Sequence, residues 1–253
     1  MHGIQLPVFS LADTLIQVEY GGVNFADTCF RSGIYKFKEL PAVLGIEAAG
    51  IIVSLPSDQD VLNNETYKKQ NFVVGGKVAI VRPLRNVVHF TFTNLEKAMV
   101  NLFRDFIGIH ATYASVPWDS VYPVPSSIST QVAAASLAQG LTAITFFEEA
   151  YKVKKGDTIL VHTVAGGLGL LFAQLGRRVG ATVIGTTSTQ EKADLAKAHG
   201  ADHVILYPVE DTVKRVLQLT NNEGVDAVFD GVGKDTCVFF FCLLGTRDDI
   251  DPI

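Results

Sequence analysis

The chain has 253 residues, 48% of them hydrophobic and 19% charged, with a formal net charge of −5. It is long enough for one large domain or two smaller ones, and apolar enough to bury a sizeable core, which excludes global disorder. The acidic balance argues against a general polyanion binder, and no apolar run approaches the length that spans a membrane.

The opening MHGIQLPVFS carries no basic segment followed by a long apolar stretch, so no secretory signal is read. The three cysteines, Cys29, Cys237 and Cys242, form no C-x-x-C pair. Neither a disulfide framework nor a cysteine-rich zinc site is expected, and a reducing, cytoplasmic setting is the default.

Four runs in the first half are rich in β-branched and aromatic residues and read as strands: Leu15 to Tyr20, Gly50 to Leu55, Lys77 to Val81 and Thr112 to Val116. The polar stretch from Pro56 to Gln70 reads as a surface excursion. Residues 82–107 mix Arg82, Arg85 and Arg104 with Phe90, Phe92, Phe103 and Phe106, and take no assignment. Near residue 130 the rhythm changes. A helix is expected over Gln131 to Tyr151. Strands at Thr158 to Thr163, Thr182 to Thr186, His203 to Leu206 and Asp226 to Asp230 then alternate with helices near Leu168 to Arg178, Gln190 to His199 and Glu210 to Thr220. Such alternation builds right-handed βαβ units and a parallel sheet, so the fold class is α/β.

The first strand of that half runs into a glycine turn, LVHTVAGGLG, from Leu160 to Gly169. Against the dinucleotide pattern G-x-G-x-x-G, the three positions are Val164, Gly166 and Gly169. Gly166 would let the backbone approach a pyrophosphate, and Gly169 would let the helix pack closely on the strand. The helix N-terminus offers open N–H groups to phosphates. A ligand-free glycine turn competes with this reading, and the strand–turn–helix context weighs against it. At the end of the second strand, GTTSTQ has no carboxylate to hold a free ribose. Thr187 and Ser188 can donate to a 2′-phosphate and Lys192 adds a cation, which favours NADPH over NADH. The competing role for these hydroxyls is to cap the following helix.

The stretches GGVNFADTCFRSGIY, LGIEAAG, SLAQGLTAITFF, VKKGDTILVHTVAGGLG, STQEKADLAKAHGADHVI and GVDAVFDGVGKDT together resemble the zinc-free quinone oxidoreductases, the zeta-crystallin type, of the medium-chain dehydrogenase/reductase superfamily. The resemblance implies a GroES-like β-rich substrate domain over residues 1–130, short at its N-terminus, and a Rossmann NADPH-binding domain over 131–253. Ala165, Gly166, Gly167, Leu168 and Gly169 would meet the pyrophosphate. Ser188, Lys192 and Tyr207 occupy family positions near the adenosine ribose phosphate, and Thr142 one near the nicotinamide. Asn24, Asp27 and Tyr35 fall where the family lines its substrate and nicotinamide pocket. Read without the resemblance, Tyr35 is a loop aromatic and Asp27 a helix-start residue.

The related alcohol dehydrogenases hold zinc through Cys and His. Here Asn24 lies near the cysteine position and Ile46 replaces the histidine, so no metal is expected. The implied activity is metal-free transfer of reducing equivalents from NADPH to a quinone. A 2-enone or alkenal reductase is the nearest alternative. A non-catalytic nucleotide-binding or RNA-binding remnant is the other. Family members commonly form homodimers. After GVGKDT the resemblance stops, and the chain reads CVFFFCLLGTRDDIDPI. A C-terminal truncation is therefore expected, with an incomplete parallel sheet. Its last flank would expose apolar side chains, the nicotinamide half of the site would be incomplete, and the adenosine half would be intact.

Overall fold

The computed structural model describes residues 10–35, 40, 42–81, 108–233, 236 and 243. The chain divides into two compact units after Ala138.

The first unit contains an antiparallel sheet of β1 (Asp13–Gly22), β2 (Glu47–Ser54), β3 (Lys77–Val81), β4 (Tyr113–Pro117) and β5 (Val121–Pro123), in the order β4-β1-β2-β3-β5. The expected strands fall within or beside β1 to β4. The three-residue β5 is too short to show a periodicity. One face of the sheet buries Ile16, Ile52, Val78, Ile80, Val116 and Val121, with Ile109, in one cluster. Each such side chain contributes about 1.5–3 kcal/mol on leaving water. On Ala49 and Ala79 rest Ala133 and Ala134 of helix α4 (Thr130–Thr145), small residues that let the helix lie close to the strands. Strand β2 starts earlier than its apolar run suggests, which brings Glu47 into the sheet as the partner of Gly22 and Val81.

Three short α-helices and a 3-10 turn, Trp118–Ser120, lie among the described residues of this unit. Helix α1 (Phe25–Ser32) ends at Gly33, whose φ of 79° suits a residue without a Cβ. The stretch expected as a surface excursion is mostly exposed and folds into α2 (Gln59–Asn63) and α3 (Glu65–Gln70). Asp58 caps the first, accepting from Asp60 N at 2.9 Å and Val61 N at 3.2 Å. Asn64 caps the second, accepting from Thr66 N at 2.8 Å and Tyr67 N at 3.1 Å. Tyr67 anchors the pair against Phe72 and Trp118, with centroids 5.9 and 5.5 Å away. The polar composition concealed two capped turns, for which Asp58 and Asn64 were the available signals. The arginine- and phenylalanine-rich residues 82–107 lie outside the described residues.

In the second unit α4 runs on into a π-helical turn, Phe146–Ala150. Strands β6 (Thr158–Val161), β7 (Thr182–Thr187), β8 (His203–Leu206) and β9 (Ala227–Phe229) are parallel, in the order β8-β7-β6-β9. Helices α5 (Gly167–Val179), α6 (Gln190–Ala198) and α7 (Thr212–Leu219) alternate with them close to their expected bounds. Both faces of the sheet are covered, as parallel strands require. Ile159, Val161, Phe172, Ala173, Val183 and Phe229 pack in one cluster, and Leu160, Ile184, Ile205, Val216 and Leu243 in another.

The expected apolar exposure at the last flank is not found at the described residues of β9. Ala227 and Phe229 are buried. Phe229 stacks on Phe172 and Phe147 with centroids 4.7 and 5.2 Å apart. Leu243 is fully buried, and its carbonyl accepts from Val225 N at 2.7 Å. The rest of the stretch from Cys237 to Leu244 lies outside the described residues.

Candidate functional site

The glycine turn is built by backbone. Past β6, His162 N donates to Phe229 O on β9 and Val164 N to Thr186 O on β7, both at 3.0 Å. The turn is thus stitched to a neighbour on each side of β6. That is where strand order reverses, the usual ligand position in open α/β sheets. Thr163 adopts a left-handed φ of 53°, and its carbonyl accepts from Gly166 N at 2.8 Å. Gly166 then opens α5 in an extended conformation with no side-chain cap. An α-helix leaves its first-turn amides without intrahelical partners beside a positive dipole end, and Ala165, Gly166, Gly167, Leu168 and Gly169 lie at this end of α5.

The glycines here are required by close approach. A Cβ on Gly169 would lie 2.5 Å from Thr163 O and 2.7 Å from Val164 Cα. A Cβ on Gly167 would run into Gln139 Oε1, so the Gln139 carboxamide lies against the first residue of α5. No sequence signal connects Gln139 to this turn, because the contact is long-range. Val164, standing at the absent first glycine, is fully buried. Its branches fill the space beside Gly185 of β7, where a Cβ would collide with them. The missing glycine is compensated by a glycine on the next strand.

At the end of β7 the hydroxyls divide. Thr187 is buried at the strand end. Thr189, rather than Thr187 or Ser188, caps α6, accepting from Lys192 N at 3.3 Å. Ser188 is left half-buried, with Lys192 Nζ 3.4 Å from its Oγ. Tyr207 follows β8, donates its N–H to Thr187 O at 3.2 Å and exposes its ring. A hydroxyl and an ammonium are therefore side by side at the strand end. Beneath the turn, His162 is buried with Nδ1 3.0 Å from Thr186 Oγ1. Burial pushes its pKa below the ordinary value, and Asp230 pulls the other way. Half-buried Thr142 lies on α4.

The first unit assembles a polar group at the C-terminal end of β1. Asn24 is the N-cap of α1, and its N–H donates to Asp27 Oδ2 at 2.8 Å. Asp27 Oδ1 accepts from Gly45 N at 3.2 Å, so Asp27 is buried with both oxygens engaged by backbone. Asn24 Nδ2 donates to Glu47 Oε1 at 2.7 Å, and Glu47 Oε2 accepts from Ala138 N of α4 at 2.8 Å. His110 Nε2 lies 2.9 Å from Gly22 O and must carry its proton there, because a carbonyl only accepts. Tyr35 packs edge-on to Phe30 at 5.4 Å. Burial, then the neighbouring Cys29, raises its pKa. The structure thus brings Asn24 and Asp27 together, places Tyr35 at the other end of α1, and adds Glu47 and His110. Both additions join across long sequence separations.

The model of the family described as "Alcohol dehydrogenase GroES-like domain" matches residues 11–126, and that described as "Zinc-binding dehydrogenase" matches residues 167–239. A probable quinone oxidoreductase of Schizosaccharomyces pombe is 37% identical over 222 residues, 88% of this chain and 57% of the relative. The solved quinone oxidoreductase of Escherichia coli, complexed with NADPH, has a TM-score of 0.79 at 28% identity, covering 97% of this chain and 65% of that one. A mycobacterial quinone oxidoreductase has a TM-score of 0.73 at 35% identity, covering 98% and 67%. The chain spans less than two thirds of the length of the curated relative.

The zinc in that family description does not fit the donors here. Asn24 offers an amide and Ile46 an aliphatic chain, and both oxygens of Glu47 already accept hydrogen bonds. Among the described residues, no three His, Cys, Asp or Glu side chains gather where they could hold a metal ion. A phosphorylated dinucleotide does fit the second unit. The uncapped end of α5 suits a pyrophosphate, and the Ser188–Lys192 pair suits a further phosphate.

Proposed function

This chain belongs to the medium-chain dehydrogenase/reductase superfamily, and we propose that it is an NADPH-dependent quinone oxidoreductase working without a metal. The observation that carries the reading is the pairing of the open α5 N-terminus with a hydroxyl–ammonium pair, and no carboxylate, at the end of β7. The backbone of Ala165 to Gly169 holds the pyrophosphate. Ser188 and Lys192 hold the 2′-phosphate, with Tyr207 beside them. Bound there, NADPH supplies the hydride. In the first unit, Asn24 contributes a ligand-facing carboxamide, Asp27 holds Asn24 and Gly45 in place through their N–H groups, and Tyr35 lines the pocket. Thr142 contributes to the nicotinamide end. A quinone has a low-lying acceptor orbital, so orientation beside the nicotinamide supplies most of what is needed.

Among the described residues no helix is long and apolar enough to cross a membrane. A homodimer and a cytoplasmic setting belong to the same proposal, by the family resemblance. The test is a fluorescence titration of purified protein with NADPH and NADH, followed by turnover with a model quinone and a model enone. Tighter binding of NADPH and quinone turnover are expected. Lys192→Ala is expected to weaken NADPH by about 1.5–3 kcal/mol, the scale of a charged hydrogen bond, and to leave NADH unchanged. Equal affinity for both cofactors overturns the cofactor reading, and turnover of the enone alone overturns the substrate reading.

A further inference from the structure

Resting on the function proposed above, we propose that Gln139 is a cofactor-binding residue, whose carboxamide NH2 donates to the pyrophosphate of the bound dinucleotide. Gln139 stands on α4 and belongs to the same compact unit as the glycine turn. It is half-buried, and its carboxamide lies over the exposed first residue of α5. The point where a Cβ of Gly167 would sit falls on Gln139 Oε1, and is 2.9 Å from Cδ and 3.1 Å from Nε2. The carboxamide rests in a slot that any side chain at position 167 would take from it.

A carboxamide carries two N–H donors and an acceptor. Among the described residues no group hydrogen-bonds to that of Gln139, although it lies at a helix end whose amides are open as well. Packing alone would be served as well by an aliphatic chain of the same length. The oxygen is the atom nearest Gly167, and the NH2 is set further off. An anion drawn to the end of α5 by its amides therefore meets a side-chain donor beside it. Phosphate oxygens only accept, so Nε2 is the atom that pairs with them, and the charge on the phosphate strengthens the bond. The pyrophosphate is common to NADPH and NADH, whereas Lys192 lies at the position proposed for the 2′-phosphate that NADPH alone carries. The two residues thus separate by the ligands they discriminate.

The test uses ligands that carry different parts of the dinucleotide, titrated by calorimetry, with ligand-observed NMR for the weakest. In Gln139→Ala the dissociation constants of NADPH, NADH and 2′-phospho-ADP-ribose, which lacks the nicotinamide, should all rise about tenfold, the scale of one hydrogen bond to a charged group, while that of 2′-AMP, which has no pyrophosphate, stays within about twofold. In Gln139→Glu the first three should rise about a hundredfold, because a carboxylate then faces the phosphates. The melting temperature of ligand-free Gln139→Glu should equal or exceed that of wild type, since the introduced carboxylate lies at the positive end of α5. A residue that only packs would lose stability and binding together.

A Gln139→Ala protein with wild-type constants overturns the inference and leaves the proposed function standing. A loss confined to NADPH and NADH, with 2′-phospho-ADP-ribose unaffected, moves the contact to the nicotinamide and does the same. A parallel loss of 2′-AMP, or a fall in the melting temperature of Gln139→Glu, marks a structural role and also overturns it. Equal wild-type affinity for NADPH and NADH overturns the cofactor choice alone, and a wild-type chain that binds none of the four ligands overturns both. If Gln139→Ala does not fold, Gln139→Glu decides, and two unfolded variants overturn the inference.

Discussion

The turn after β6 and the polar group around Asn24 are built on opposite principles. The turn is made of backbone. Thr163, Val164, Gly166 and Gly169 lie within one short stretch, and Gly169 must lack a side chain because strand and helix backbones approach closely there. The Asn24 group is made of side chains from separated segments. Asn24, Asp27 and Glu47 are joined by bonds that span up to 91 residues, as from Ala138 N to Glu47 Oε2, and His110 bonds Gly22 O beside them. A site of the first kind fails when atoms are added, and one of the second kind when atoms are removed or exchanged.

The contrast is tested hardest at Gly169. Gly169→Val places a branched side chain against the backbone of Thr163 and Val164, neither of which can yield without breaking the stitches to β7 and β9. A loss of about 3 kcal/mol is expected by chemical denaturation, with NADPH binding lost as well. A variant as stable as wild type would show that the turn tolerates added atoms. In the other region, Asp27→Ala removes the acceptor shared by Asn24 N and Gly45 N. About 2–3 kcal/mol should be lost, because one part-buried and one buried donor are left without it. Asp27→Asn retains one acceptor and should recover part of that stability. If both variants cost equally, the shared-acceptor account is wrong.

A finer test lies in the fit of Val164 to Gly185. Gly185→Ala alone crowds Val164, and Val164→Ala alone leaves a cavity. The double variant should cost less than the sum of the singles by about 1–2 kcal/mol, a coupling measurable in a double-mutant cycle. Additive losses would show that the two residues do not exchange volume.

The smallest effect concerns pH. Burial holds the His162 imidazole below its ordinary pKa of 6.5, with Asp230 opposing. As pH falls, the unfolded chain therefore takes up this proton first. The contribution is fully present above pH 6.5 and declines as pH drops from there through the lowered folded value. The melting temperature of His162→Gln should fall less steeply than that of wild type over that interval, and parallel curves would remove His162 from the acid response.

Most of the parallel-sheet unit was legible because its signals are local. Apolar runs, helix-capping glycines such as Gly180 and the turn from Leu160 to Gly169 are neighbours in sequence, and the observed β6 to β8 and α5 to α7 lie close to the expected bounds. The first unit was read less well. Its strands showed as alternating runs, but α2 and α3 were hidden in polar composition, and α1 was seen only through Asp27 as a helix-start residue. At the end of β7, the closeness of Ser188 and Lys192 could be expected from their spacing on a helix start, whereas the burial of Thr187 could not, since it depends on how β7 sits in its sheet.

By itself, the sequence determined what local chemistry determines: an α/β chain, a glycine turn opening a helix, and a second parallel strand that ends without a carboxylate. Backbone geometry and side-chain type settle these over a few residues. Only the tertiary structure decided which groups meet from afar. It set Gln139 against Gly167, fitted Val164 beside Gly185, and joined Asn24 through Glu47 to Ala138. The physical reason is that a buried polar group must find its partner wherever the fold brings one, and sequence spacing carries no record of that distance.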